Sequence, residues 1–201
     1  MAKAKKPVVK TLPTPEIVKK RMVKGAIRRV YRQSSEMSFC LKEARVELPP
    51  AIKKDGTPGA KNQVRYRCAQ CKQLFQSKNV QVDHIHPVIN LWESEEETDY
   101  NTLVERIWCD VKNLQVLCST KIKDLPKGEK SCHTHKSAYE NFVRDRFAEY
   151  KKQNNLAAKD LNPTSISILL SEFELQYREY LIEKSKPKTK KLTKKNKSVT
   201  N

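Results

Sequence analysis

Four cysteines constrain this chain more than any other feature. Cys68-Ala-Gln-Cys71 opens a segment that contains Val82-Asp83-His84-Ile85-His86-Pro87, and Cys118 and Cys132 close it, with His133 directly after the last. A Cys-x-x-Cys pair lets two thiolates grip one tetrahedral ion, and such a site needs a second pair to close it. Cys118 follows an apolar stretch that reads as a strand and Cys132 begins a helical pattern, so both stand at element ends, where such ligands sit. Cys68, Cys71, Cys118 and Cys132 are therefore the expected structural zinc site, with Cys109 the alternative fourth ligand and Cys40 a core residue. A zinc closed by four thiolates has no open position, so its role is to tie long connections to a small core.

The chain has 201 residues, of which 37% are hydrophobic and 32% charged. That is lean for a core, so part of the sequence is expected to stay solvated. A net charge of +18 favours a polyanionic partner, and nucleic acid leads. No membrane partner is expected: no window has the apolar length of a span, and no basic amphipathic helix carries an aromatic apolar face. No apolar h-region follows the basic start, so a cytoplasmic location is expected, where thiols stay reduced and cysteines read as metal ligands.

The periodicity predicts an α+β chain. Residues 1–14 read as a basic flexible arm and 15–60 as a basic helical extension, with helices over about 15–32 (Thr14 as cap) and 36–46. Residues 61–152 form the expected core. It holds a strand into Cys68, a second strand through Val82, an acidic loop from Glu93 to Asp99, a helix at about 100–109, a strand at Leu114–Leu117 and a long helix from Cys132. An amphipathic helix closes the pattern over 153–184, and 185–201 is a Lys-rich tail expected to be disordered.

The second candidate site is built on Asp83 and His84. Asp supplies a hard oxygen suited to Mg²⁺. His84 can take a proton from water near neutral pH. His133, in the first turn of its helix, can complete a divalent site opposite Asp83. Consecutive strand residues face opposite ways, so a distortion after Asp83, or the turn toward Pro87, is expected to bring the pair to one centre.

These residues resemble the HNH endonuclease family, whose ββα-metal motif runs Asp-His, then Asn, then His. The matching stretches are Val82-Asp83-His84-Ile85-His86-Pro87-Val88, Asn113-Leu114-Gln115-Val116-Leu117-Cys118 and Cys132-His133-Thr134-His135-Lys136. The likeness is strongest to HNH nucleases of tailed bacteriophages, through a basic N-terminal helix, the Cys-x-x-Cys knuckle and Glu105-Arg106-Ile107-Trp108-Cys109. It spans about residues 20–145. The resemblance implies a zinc-stabilised ββα-metal (HNH, His-Me finger) core, with Asp83 and His133 on one Mg²⁺ or Mn²⁺. His84 is then the general base, and Asn113 orients the loop that carries it. The implied reaction is DNA phosphodiester hydrolysis, nicking one strand to leave a 3′-hydroxyl and a 5′-phosphate, in a host-cell cytoplasm, with phage packaging proteins as candidate partners. The family usually joins its last cysteines as Cys-x-x-Cys-His, whereas thirteen residues separate Cys118 from Cys132 here. The Lys-rich insertion (Lys121, Lys123, Lys127, Lys130) reads as a DNA-contacting loop. His86 is a phosphate contact or a support to the site, and His135 a weaker ligand.

The expected phosphate contacts are Lys19, Lys20, Arg28 and Arg29 on the first helix, Arg65 and Arg67 on the strand before Cys68, and Lys136. They favour double-stranded DNA held with little sequence preference. Two other functions fit parts of the pattern. A non-catalytic zinc module that binds DNA or organises a packaging complex needs the cysteines and the charge alone. An RNA-directed nuclease keeps the catalytic set, but the chain lacks an aromatic stacking motif for RNA. Sequence preference and oligomeric state are not encoded in these motifs.

Overall fold

The computed structural model describes residues 14–119 and 130–185. The N-terminal arm, most of the insertion after Cys118 and the C-terminal tail, with the expectations placed on them, lie outside those residues. The architecture is mixed α+β. Five helices, α1 (Pro15–Tyr31), α2 (Ser35–Ala44), α3 (Tyr100–Ile107), α4 (Cys132–Asn154) and α5 (Pro163–Ser185), accompany five strands, β1 (Arg45–Leu48), β2 (Gln63–Arg67), β3 (Leu74–Phe75), β4 (Val80–His84) and β5 (Leu114–Cys118).

Local chemistry sets the helix starts. Thr14, Ser34, Asp99 and Ser131 each accept a backbone N–H of the following turn with the side-chain oxygen, satisfying a donor that a helix N-terminus leaves open. Pro15 occupies the first turn of α1, where its missing N–H costs nothing. α4 ends on Asn155, which takes the left-handed conformation (φ 53°) common at helix C-termini.

The strands form two sheets. β1, β2 and β3 make one antiparallel sheet in that order; β4 and β5 make the other, also antiparallel. Two expectations change. The second helix stops at Ala44, and Arg45–Leu48 is a strand. The alternation of Val46 and Leu48 with Arg45 and Glu47 fits a half-buried strand, and pairing with β2 in the register Val46↔Arg65 decides it. The expected boundary at residue 60 then falls between two paired strands, so 15–60 is not an appendage. Tyr31 and Cys40 from that stretch are buried in one cluster with Leu103, Ile107, Leu114 and Val116.

A second cluster lies at the other end, where Val143 and Phe147 of α4 meet Leu161, Leu169 and Phe173. A small third cluster surrounds Cys68, Leu117 and Cys118. β4 and β5, with α3 between them in the chain, are joined to α4 in one unit: α4 contacts both β5 and α5. Among the described residues no helix is long and apolar enough to cross a membrane.

Candidate functional site: a four-thiol corner and a charged cavity

The thiol corner starts with the backbone. Lys72 adopts a left-handed conformation (φ 62°), and the turn closes with Lys72 N–H donating to Cys68 O (3.0 Å) and Cys68 N–H to Gln73 O (2.9 Å). Ala69 N–H donates to Val116 O (2.7 Å), which sews the turn to β5. Ser131 caps α4, so Cys132 enters from its first turn. The result brings the Sγ atoms of Cys68, Cys71, Cys118 and Cys132 within 4.8 Å of one another. Four sulfurs at about 2.3 Å from a tetrahedral zinc would be roughly 3.8 Å apart, so the four lie close enough together to bind a metal ion such as zinc. Cys109 is elsewhere, its carbonyl accepting from the Tyr31 hydroxyl (2.9 Å).

Electrostatics point the same way. Burial raises the Cys68 thiol, but backbone N–H groups of Cys71, Cys118 and Gln70 outweigh it and bring its pKa down to about 7. Burial and the neighbouring sulfurs push Cys132 far above the ordinary thiol range, and Cys118 upward as well. Cys118 N–H lies 3.4 Å from Cys68 Sγ, and Cys132 N–H 3.1 Å from Cys118 Sγ. The raised pKa values keep Cys118 and Cys132 as neutral thiols, and a bound cation would favour the thiolate form of all four.

The second region is a cavity of about 390 Å³ between α1, α4 and the end of β4. Asp83 and His84 both line it. The expected break after Asp83 is absent: the ladder runs regularly through Asp83↔Gln115 and His84↔Leu114. The cavity instead wraps around the end of the strand and so meets both residues.

Two contacts hold the His84 ring. Its Nε2–H donates to the Ile107 carbonyl (3.3 Å), which leaves Nδ1 as the lone-pair nitrogen of the neutral ring. The Tyr31 ring stacks on it at 6.0 Å, and Trp108 packs on Tyr31 at 5.4 Å. Burial lowers the pKa of His84, against the opposing pull of the Ile107 carbonyl and Asp83, so the ring is neutral at pH 7. Asn113 holds the chain beyond it. Its carbonyl accepts from Ile85 N–H (2.7 Å), and its side-chain Oδ1 accepts from His86 N–H (2.8 Å). His86 therefore takes part through its backbone.

Two helices complete the wall with stripes of helical spacing. α1 presents Lys24 and Arg28, with Tyr31 one turn on buried against His84; α4 presents Lys136, Glu140 and Arg144. Lys136 Nζ lies 2.9 Å from Asp83 Oδ2 and 2.6 Å from Glu140 Oε1. Lys136, expected as a phosphate contact, is thus engaged by two carboxylates. His133 is half-buried one turn earlier on α4 and is not among the residues lining the cavity. Among the described residues the four thiols are the only group of three or more metal-ligating side chains with their atoms this close, so Asp83, His84 and His133 are not drawn together in the same way.

The expected phosphate contacts divide by place. Arg28 faces the cavity. Lys19 and Arg29 are exposed on α1, and Lys20 lies over the Tyr100 ring at 5.6 Å. Arg65 and Arg67 are on β2 in the other sheet, Arg65 donating to Gln63 (2.7 Å). Sequence reasoning missed Lys24, Glu140 and Arg144 as parts of the cavity, and Tyr31 as the ring packed on His84. The spacing of Lys24, Arg28 and Tyr31 along one helix face was the available signal. Comparison with protein-family models, with curated proteins and with solved structures gave no match to the chain.

Proposed function

We propose that this protein is a metal-dependent endonuclease of the HNH type that hydrolyses DNA phosphodiester bonds on a zinc-stabilised ββα-metal core. The observation that carries the reading is the order of parts around one cavity. A strand ends in Asp83-His84, Asn113 immediately before the partner strand clamps the loop beyond His84 through its side chain, and a helix starting at Cys132 packs against that partner strand.

In this reading His84 Nδ1 takes a proton from water as the oxygen attacks phosphorus, while the Ile107 carbonyl holds the ring at its other nitrogen. The bond to the 3′-oxygen breaks, and that oxygen leaves with a proton to give a 3′-hydroxyl and a 5′-phosphate. A divalent ion such as Mg²⁺ or Mn²⁺, bound at Asp83, would supply positive charge to the phosphate and the leaving oxygen; His133, which is not on the cavity wall, would have to turn toward it to share the ion. Asp83 offers the hard oxygen such an ion prefers, and Lys136 already places a cation on it. The thiol corner would hold structural zinc and fix the start of α4 relative to β5.

The ion pair between Lys136 and Asp83 also favours a second reading, a zinc-organised DNA-binding module without catalysis, because it engages the one carboxylate the chemistry requires. Plasmid nicking with Mg²⁺ or Mn²⁺ separates the two. His84→Ala is expected to lower nicking by roughly 10²–10⁴-fold, the usual contribution of general base catalysis, with DNA binding unchanged. Wild-type protein that binds plasmid and never nicks it selects the module instead. Nicking by His84→Ala at the wild-type rate removes His84 as the base.

A further inference from the structure

Every carboxylate on the cavity wall has a basic partner. Asp83 and Glu140 share Lys136, Glu95 takes Lys24 and Arg21, and Glu93 takes Arg106. Arg28 lines the same cavity, yet among the described residues it forms no ion pair and no hydrogen bond through its side chain. Arg144, also on the wall, is held only loosely. It donates to the Ile89 carbonyl (3.1 Å), and its contact with Glu140 is 3.8 Å. Two guanidinium groups from separate helices thus line one space whose own carboxylates, Asp83, Glu93, Glu95 and Glu140, already have other cationic partners. Burial disfavours the Arg28 charge, Glu95 and Asp83 support it, and Arg32 and Arg144 repel it, so an anion between the two guanidinium groups would relieve what the carboxylates leave uncompensated.

Helix α1 cannot easily move Arg28 away. One turn before it Lys24 is bound to Glu95, and one turn after it Tyr31 is buried under His84. Arg28 is therefore aimed by contacts on both sides of it along the same helix face. The guanidinium fork matches two oxygens of a phosphate at once, which an ammonium does not.

We propose that Arg28, with Arg144, grips the scissile phosphodiester beside His84, so that α1 is a wall of the reaction site as well as a contact to flanking DNA. The substrate class is a phosphodiester monoanion bound by two guanidinium forks. This rests on the nuclease reading for its consequence in catalysis, but the binding of the phosphodiester stands apart from it.

The test has two arms. In the first, the arginine Nε–Hε resonances of the wild-type full chain are followed by NMR during titration with thymidylyl-thymidine, which carries a single phosphodiester. Signals of Arg28 and Arg144 are expected to shift together and saturate, while that of Arg178, paired with Glu174 on α5, stays in place. In the second, plasmid nicking is measured for Arg28→Ala, Arg28→Lys and Arg178→Ala. Arg28→Ala is expected to lower kcat by roughly 10²-fold, the scale for losing one donor to a developing oxyanion, with a much smaller change in KM. Arg28→Lys should recover part of kcat, and Arg178→Ala should match wild type. No shift at Arg28 on titration, or wild-type kcat in Arg28→Ala, overturns the proposal while leaving nuclease activity intact. Shifts at both arginines in a protein that never nicks plasmid support the phosphodiester site and overturn the nuclease reading instead. The NMR arm uses wild-type protein, so it decides even if Arg28→Ala does not fold.

Discussion

The corner around Cys68 and the hairpin of α4 and α5 are stabilised in opposite ways. In the hairpin, apolar area does the holding. Phe147 and Phe173 meet edge to face at 5.0 Å, Val143 is fully buried, and Tyr139 and Phe142 pack on Tyr177. In the corner, few apolar side chains are available, and β3 has only two residues. Backbone donors aimed at sulfur and four gathered thiols take their place. Long connections with little apolar content need a cross-link, whereas two long amphipathic helices do not. The candidate site lies where these two regions meet: α4 begins in the corner, passes the cavity at Lys136 to Arg144, and ends in the aromatic core.

That contrast can be broken by experiment. The largest effect is expected at the corner. Cys118→Ser, or a strong chelator, should remove bound zinc and unfold the region around β2, β3 and the start of α4. The scale is that of structural zinc binding, about 10 kcal/mol. Metal analysis together with circular dichroism measures it, and a Cys118→Ser protein with full zinc content and an unchanged melting temperature would refute the corner as a metal site.

A smaller loss is expected in the hairpin. Phe173→Ala opens a cavity against Phe147 and should cost about 3–5 kcal/mol in chemical denaturation, with zinc content at the wild-type level. Loss of zinc in this variant would show that the two regions are not separable.

The smallest effect concerns the joint between the acidic loop and the C-terminal half. Burial works against the Glu97 carboxylate, but Lys151 (2.7 Å), Ala158 N–H (2.7 Å) and Ser94 hold it ionised, with its pKa lowered to about 2. Because the folded value lies below the unfolded one near 4.5, the stabilisation is complete above pH 4.5 and lost as pH falls through about 2. With solvent screening it amounts to about 1 kcal/mol. The difference in melting temperature between wild type and Glu97→Gln should shrink across that window; a constant difference would contradict the assignment.

Much of this organisation was legible in the residues themselves. The cap at Thr14, the helix from Cys132 and the strand at Leu114 follow from local rules, since a cap or a hydrophobic period acts within a turn or two of its own position. The Cys-x-x-Cys spacing announced the thiol corner, and its partners Cys118 and Cys132 were recognisable as element ends. β1 was not recognised, because four alternating residues read equally well as the end of a helix until β2 pairs with them.

What the sequence determined by itself is the chemistry on offer: four thiols, an Asp-His pair, an Asn before a strand and a large excess of cations. Tertiary structure alone decided which of these groups meet. Helix α1 reads as part of a basic helical extension until Tyr31 is buried beneath His84 and Arg28 lines the cavity. Lys136 reads as a phosphate contact until Asp83 and Glu140 claim it. A side chain's charge is local, but its partner is set by which distant element packs beside it, and spacing along one chain carries no record of that.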